Sequence, residues 1–552
     1  MSHNPIIPYP KARQQLKTSS APTRWAAIVD GFRGEVWPEF TPSFHIAPGH
    51  TVFTMGSCFA RNIETHLAML GCRVPMMDFD LPPDEWSGNL HGAMNRFHPP
   101  AFRQSIEWTA RIFDRDGQVL WEDCEAIAFD CGGGRFFDLD MGATAPVGME
   151  RFIARRQHIY EIFRNVFRAD CLMLTPGLIE AWRDRSTGQY TFSGPTLKET
   201  LAEPDRWEVE VLSYETCLSD LLAVIDIVRA RNPEIKVLVT TSPVPMSATF
   251  TGKDVRIANS YSKSVLRAVC GAVAMERPLV DYFPSYESVT LSFPKGVWKD
   301  DRLHVSHSFI AKIVARMLDK YFDDMDEVAR GCQLARTHLL DKDFGGAERT
   351  ARAVLETTDH VETRALLAEA LFRQGRREEA EQELQILVEA DPERADFRLL
   401  LARVLGQDGW RSREAVSHVE AAIALPSLTL ASFRQAADIV RRHAPPALAE
   451  SITRGVTERF PLHVESYQPL VDVLVDQGRR LEAIAVLRQA LTLRRVRAGM
   501  LTQLAGLLAE EGDTAEAVAL LKRALDLDAN HEAARLQMAR LSPDRFQTGQ
   551  PV

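Results

Sequence analysis

The sequence predicts an α/β domain, a three-layer doubly wound parallel sheet, followed by an all-α solenoid of stacked helix pairs. Three observations carry this expectation. Between about residues 50 and 322, short apolar runs alternate with longer segments of helical periodicity. After about residue 330 the strand-like runs stop and only the helical pattern continues. In that second half glycines recur at a fixed interval: Gly375 and Gly409 lie 34 residues apart, as do Gly478 and Gly512.

The first apolar run is "HTVFTMGS" (50–57), and it enters a helical pattern at once, with Phe59, Ile63, Leu67 and Leu70 on one face of a helix over 58–70. The helix "GMERFIARRQHIYEIFRNVF" precedes the run "DCLMLTPG" (170–177). Two further runs, "KVLVTTSPVP" (236–245) and "PLVDYFP" (278–284), also follow amphipathic helices, and "HVSHSFIAKIVARMLDKYF" closes the half. Continuous apolar strands separated by amphipathic helices imply a parallel sheet covered on both faces. Ligand sites in such sheets lie beyond the carboxyl ends of the strands. Residues 71–150, rich in Gly, Pro and Asp, read as a long irregular insertion or a subsidiary hairpin layer. The expected domains are 1–48, an extension packing on the α/β domain, then 49–325, the α/β domain itself, and 326–545, the solenoid.

Within the solenoid, "LLAEALFRQGRREEAEQELQILVEADP" sets Leu367, Ala368, Leu371, Gly375, Ala380, Leu384 and Pro392 at offsets that resemble a tetratricopeptide repeat. Ala380, Ala483 and Ala517 each follow a glycine of the repeat by five residues, where close helix approach needs a small side chain. His443 falls in the register between Gly409 and Gly478, so a degenerate repeat fills the middle of about five to six. Stacked pairs of this kind leave a groove that takes a protein partner.

Composition bounds the function. The 552 residues exceed one ordinary core, and 45% hydrophobic with 25% charged residues is the balance of a globular protein. A formal charge of −10 and a pI near 5.9 argue against a nucleic-acid partner. The N-terminus "MSHNPIIPYPKARQQLK" lacks the apolar core of a secretion signal, and no run approaches the roughly 18 apolar residues of a membrane span, so the expected location is cytoplasmic. The eight cysteines are scattered without a C-x-x-C pair, which supports neither disulfides nor a zinc site.

Ser57 stands where the first strand meets its helix. Such a serine caps the helix by accepting an orphan backbone N–H. Alternatively it is a nucleophile, exposed at a sharp strand-to-helix turn with helix N–H groups at hand for an oxyanion. A nucleophile needs a base and a group to orient it. Asp301 and His304, in "KGVWKDDRLHVSHSF", form an Asp-x-x-His in a loop just before the last helix of the half, and this short spacing lets the carboxylate hold one tautomer of the imidazole. The competing reading has His304 capping or packing that helix. His307 is the weaker candidate, being expected inside the helix.

Together these elements resemble the GSCFA family, a branch similar to the SGNH/GDSL-type serine hydrolases. The resemblance rests on "MGSCFARNIETHL", "LTPGLIEAWRD" (174–184), "TTSPVPMSATF" (240–250), "ANSYSKSVLRAV" (258–269), "VDYFPSYES" (280–288) and "DDRLH", and it covers about residues 40–320. It implies an SGNH-like fold with Ser57 as nucleophile and His304 with Asp301 completing a triad. In the wider group a glycine and an asparagine of a G-x-N-D block supply oxyanion donors beside the nucleophile's own N–H. The corresponding stretch here, Gly177 to Glu180, has no amide at that position. Asn95, with Gly92 just before it, is the replacement, its competing reading being an ordinary turn asparagine. Glu180 and Trp182 either line the pocket, the indole stacking on a sugar ring, or act as a cap and a packed ring. Cys58 and His66 read as packing residues, "CGGGRFFD" (131–138) as a turn, and Lys263 as a solvated helix residue.

The resulting expectation is a serine esterase or O-acyltransferase working through an acyl-enzyme on an O-acylated glycan or polysaccharide, the glycan being implied by the resemblance alone. The repeats would recruit a protein partner. No metal or organic cofactor is implied, because a triad supplies its own base. The rival is a non-catalytic SGNH-like binding module in a tetratricopeptide scaffold for polysaccharide biosynthesis or export machinery.

Overall fold

A computed structural model of the chain describes residues 7–11, 13, 34–69, 71–87, 90–142, 144–322, 327–407, 411–493 and 497–541. It divides into two compact units, residues 1–81 with 89–366, and residues 82–88 with 367–552. Most of the expected 1–48 extension, and Leu70 and Gly409, lie outside the described residues.

The first unit is built on a parallel sheet of β1 (Val52–Gly56), β5 (Cys171–Thr175), β8 (Lys236–Val239) and β9 (Val280–Tyr282), paired in that order. β1 and β5 are wholly buried and β8 nearly so, as apolar runs covered on both faces must be, while the edge strand β9 buries only Val280. On one face Val52, Cys171, Met173 and Leu238 pack with Phe59, Ile63 and Leu67 of helix α1 (Cys58–Met69) and with Ile310, Ile313 and Val314 from the last helix of the half. On the other, Phe53 meets the ring of Phe163 edge-on. Residues 34–48 belong to this unit. Trp37 stacks on Phe309, Phe40 packs on Phe283 and Tyr321, and the Ile46 N–H donates to the Tyr321 carbonyl.

One contact fixes the topology. After α1 the chain returns to the far side of β1, where Arg73 pairs with Thr51 in a parallel bridge and exchanges backbone hydrogen bonds with His50 and Val52. All later strands of the sheet add on the opposite side of β1. The winding direction therefore reverses between β1 and β5. A crevice opens beyond the carboxyl ends of strands at such a reversal.

The stretch 71–150 holds the expected hairpin layer, β2 (Ala128–Asp130), β3 (Arg135–Asp138) and β4 (Val147–Gly148), antiparallel in that order. It also contains a 17-residue helix, α2 (Pro99–Arg115), that the sequence reading missed. Pro99-Pro100 reads as a break, yet at the first turn proline costs no hydrogen bond, and His98 caps the helix by accepting from the Ala101 N–H. Helix α3 (Met149–Phe163) follows. Its Arg156 is buried against Asp138 and Asp140, and Asp140 also binds Arg96 at 2.7 Å. A two-stranded ribbon, β6 (Glu180–Asp184) with β7 (Trp207–Val211), precedes helix α4 (Tyr214–Arg229). Helix α5 (Val255–Glu276) joins β8 to β9, and α6 (His307–Tyr321) ends the α/β part.

From Glu327 onward all regular elements among the described residues are helices. Ala380, Ala483 and Ala517 are fully buried at the expected close approaches. Gly375 and Gly478 take φ of 81° and 74° in the turns between paired helices, a conformation open to glycine at little cost. At the degenerate repeat the helix Leu430–His443 ends without a glycine, and Pro445-Pro446 starts the next one instead. In the second unit Trp86 meets the His463 ring edge-on at 4.1 Å. A pocket in the same unit is lined by Arg434, Arg441, Glu465, Gln468, Asp472 and Arg497.

Candidate active site

The crevice begins at the end of β1. Gly56 pairs with Thr175 of β5, and a Cβ on Gly56 would lie 1.7 Å from Thr175 Oγ1, so only glycine lets the two strand ends approach this closely. Ser57 follows and α1 starts at the next residue. Its Oγ accepts from the Phe59 N–H at 3.4 Å, a long capping bond, and lies 3.2 Å from Ser242 Oγ. Ser57 is buried, with 5% of its surface exposed. Both readings of the residue meet here: the hydroxyl caps the helix and also faces the carboxyl ends of the sheet.

Asn95 lies beside this turn. The Arg96 N–H donates to the Gly56 carbonyl, and the Arg96 side chain, held by Asp140 and Ser105, donates to the Asn95 carbonyl. Asn95 is buried, and its Oδ1 has no hydrogen-bond partner among the described residues. Gly92, in the short helix Leu90–Ala93, accepts from the Asn95 N–H at 3.2 Å. Gly177, just past β5, donates its N–H to the Phe97 carbonyl at 2.8 Å, so that donor is already engaged. Glu180 is buried and fastens the loop before α5, accepting from Thr249 Oγ1 at 2.6 Å and the Phe250 N–H at 2.7 Å. Trp182 packs its indole against Phe250 at 5.0 Å and beside Phe129, Phe137 and Trp207.

Asp301 and His304 do come together. His304 Nδ1 lies 2.7 Å from Asp301 Oδ2, while Asp301 Oδ1 accepts from the N–H groups of His304 and Leu303 at 2.9 Å each. These bonds, the His304 backbone N–H first, hold the Asp301 carboxyl well below the usual carboxylate range. Both side chains are about half exposed. Among the described residues no hydrogen bond joins either of them to Ser57. His307 is the first residue of α6, with Nε2 3.0 Å from Lys299 Nζ.

The sequence reading of Lys263 is overturned. Lys263 has no exposed surface, and its Nζ donates to the Gly177 carbonyl at 2.7 Å and the Ser242 carbonyl at 2.8 Å. It thereby ties the ends of β5 and β8 together behind Ser57. Burial lowers its pKa to about 7, against a small opposing effect from the Cys58 thiol. A signal was present: Lys263 shares a helical stripe with Leu266, Cys270 and Val273, all buried. Ser242 carried no comparable signal, because its position follows from the pairing of β8 with β5.

Fold and site define a class: a parallel-sheet α/β domain with a serine at the reversal of the sheet, followed by helical repeats. Residues 51–317 match the GSCFA family, and residues 338–404 and 469–532 match tetratricopeptide repeats, so the chain carries a GSCFA-type region followed by C-terminal tetratricopeptide repeats. No curated protein matches the chain. Similar solved structures include PilW, a widely conserved type IV pilus biogenesis factor, at 14% identity over 38% of this chain and 98% of that one, with a TM-score of 0.32. Another is a tetratricopeptide repeat protein from Parabacteroides merdae, at 14% identity over 43% and 90% of the two chains, with a TM-score of 0.30. The MamA protein follows at 20% identity, 30% and 91% coverage and a TM-score of 0.26. Among the described residues no helix is long and apolar enough to cross a membrane.

Proposed function

We propose that the protein is an SGNH-like serine esterase or O-acyltransferase in which Ser57 is the nucleophile and Asp301–His304 is an acid–base pair. The observation that carries the reading is the Ser57 hydroxyl at the carboxyl end of β1, where the sheet reverses and ligand sites of such sheets lie. As Ser57 Oγ attacks an ester carbonyl, His304, oriented by Asp301, takes the hydroxyl proton and returns it to the departing oxygen as the ester C–O bond breaks, leaving the acyl group on Oγ. Water or a sugar hydroxyl, deprotonated by His304, then takes the acyl group. Asn95, adjacent to the turn, is the candidate oxyanion donor beside the N–H groups at the start of α1. The substrate class is an O-acylated glycan, the protein works in the cytoplasm, and the repeats recruit a protein partner through their charged pocket.

A second reading, a non-catalytic module in a repeat scaffold, is favoured by the buried state of Ser57 and by the missing Ser57–His304 hydrogen bond. Labelling with a fluorophosphonate probe separates the two. Wild type labelled at Ser57, and Ser57→Ala unlabelled, supports the enzyme. A wild type that stays unlabelled while binding a glycan supports the scaffold.

A further inference from the structure

The α/β part of the first unit holds a pocket of about 190 Å³ to which the scheme above gives no task. It is lined from α2, from α3 and from the turn around Asp123, and neither Ser57, Ser242, Asp301 nor His304 lines it. Its floor is charged and buried, formed by Arg96, Arg156 and Asp140. Its rim is open: the side chains of Glu107, Arg111 and Glu122 are about half exposed or more, so the pocket reaches solvent.

A guanidinium has five N–H donors. Arg96 spends three of them, on Ser105 Oγ, the Asn95 carbonyl and Asp140. Arg156 also spends three, two on Asp138 and one on Asp140. Two N–H groups on each arginine are left without a partner among the described residues, and a buried donor in that state needs an acceptor. Charge argues against an anion as that acceptor, because Arg96, Arg111 and Arg156 line the pocket against Glu107, Glu122, Asp123 and Asp140. A cation is no better suited. The carboxylates already pair with arginines, Glu107 with Arg103, Glu122 and Asp123 with Arg115, and Asp140 with Arg96 and Arg156. What remains is an uncharged ligand rich in acceptors.

The walls add an apolar ring and an amide. Gln104, Trp108 and Arg111 are spaced four and three residues apart on α2 and so share one face of it. Trp108 donates its N–H to the Asp123 carbonyl at 2.9 Å, which leaves the indole ring for the pocket. The Arg156 guanidinium carbon stands 5.7 Å from the centroid of that ring, wider than the roughly 4 Å of van der Waals contact. Gln104 grips the backbone of Tyr190 through both amide atoms, at 3.0 and 2.9 Å, and this holds the neighbouring Gln189 at the pocket. The Gln189 side chain has no hydrogen-bond partner among the described residues and is free to donate or accept. Guanidinium donors, a free amide and an aromatic ring in one concave site fit a pyranose, whose hydroxyls accept and donate while its ring carbons present an apolar face. We infer that this pocket binds an uncharged sugar residue. The inference goes beyond the esterase reading and does not depend on Ser57 being a nucleophile.

The test is calorimetric titration of the full-length protein with the methyl glycosides of glucose, galactose, mannose and N-acetylglucosamine, and with inorganic phosphate as the charged control. At least one glycoside should bind with a Kd in the millimolar range or below, and phosphate should not bind. Trp108→Ala should weaken that binding on the order of tenfold, the worth of one aromatic face. Ala126→Trp fills the pocket from its edge, leaves both buried arginines in place and should abolish binding. Gln189→Ala, at a partly exposed site, should weaken binding several-fold and stays informative if either of the others fails to fold. A glycoside bound equally well by every folded variant binds elsewhere and overturns the assignment. Phosphate bound where no glycoside binds makes this an anion site, and binding of no probe leaves the pocket to water; either result overturns the inference. Ser57→Ala should bind the glycoside as wild type does. A protein labelled at Ser57 that binds no glycoside therefore sinks the sugar site alone.

Discussion

Ser57 Oγ and Ser242 Oγ lie 3.2 Å apart although 185 residues separate them in the chain. Parallel pairing of β1 with β5 and of β5 with β8 brings them together, since each serine sits just beyond the carboxyl end of its strand. The Ser57 hydroxyl serves both fold and chemistry, and the two contributions are separable. Ser57→Ala removes a capping bond worth about 0.5–2 kcal/mol. It should lower turnover of a small acetyl ester by several decades, since the nucleophile is lost. Thermal melting and initial rates on the same preparation check both halves. Comparable turnover in a folded Ser57→Ala protein would sink the serine mechanism.

Asp301→Asn tests the second element. An asparagine Oδ1 can still accept from the N–H groups of Leu303 and His304, so the loop should hold and the folded protein should melt close to wild type. The carboxylate that orients His304 is nevertheless gone. Turnover should drop on the order of 10⁴-fold if the imidazole tautomer reverses. A loss below tenfold would make the Asp301–His304 pair a surface ion pair and no more.

Two buried histidines should make the α/β unit acid-labile. Burial lowers the pKa of His66 from 6.5 to about 4 and that of His98 from 6.5 to about 3, with Arg96 adding to the latter. Below 6.5 the unfolded chain binds protons that the native histidines refuse. Stability therefore falls as pH drops from about 6.5 toward 4, and each group contributes on the order of 3 kcal/mol at about 1.4 kcal/mol per unit of displacement. His98→Asn keeps an acceptor for the Ala101 N–H and removes the titration. Denaturant unfolding at pH 7 and pH 4.5 should show a smaller acid loss in that variant. An identical loss would exclude His98 as a source.

Gly56→Ala should destabilise by about 3 kcal/mol, the upper range for overpacking a close contact. Its Cβ would press on Thr175 Oγ1 at 1.7 Å and on Thr175 Cβ at 2.9 Å. Thr175→Ala removes the nearer atom and should recover part of the loss, leaving the second clash. If Gly56→Ala is neutral by denaturant unfolding, the strand ends are not in contact as described.

A chain ending at Arg373 should fold and keep Ser57 labelling, whereas one ending at Phe322 should be markedly less stable. The helix Glu327–Leu340 buries Cys332 and Ala335 within the first compact unit, which runs to Leu366. Melting temperatures of the two truncated proteins decide this, and equal values would place the boundary near residue 325 instead.

Much of this architecture was legible in the residues because burial and period leave marks on sequence. Four apolar runs between amphipathic helices gave the parallel sheet, and glycines at an interval of 34 gave the repeats. The Pro99-Pro100 pair concealed α2, because proline reads as a break until the first-turn exception is applied. The Asp301–His304 pair was legible from spacing alone, since residues three apart in a turn must lie close.

The sequence by itself determined the strand-to-helix turn that carries Ser57, the Asp-x-x-His loop and the helical repeats. These are local features, set by propensity, period and short-range geometry. Only the tertiary structure decided which hydroxyl faces Ser57 and where Lys263 points. Ser242 reaches Ser57 through strand pairing across nearly 200 residues, a relationship that no local pattern encodes. Lys263 reads as a surface residue by its charge. Its environment comes from the ends of β5 and β8, whose carbonyls offset the cost of burying an amine and hold it behind the serine.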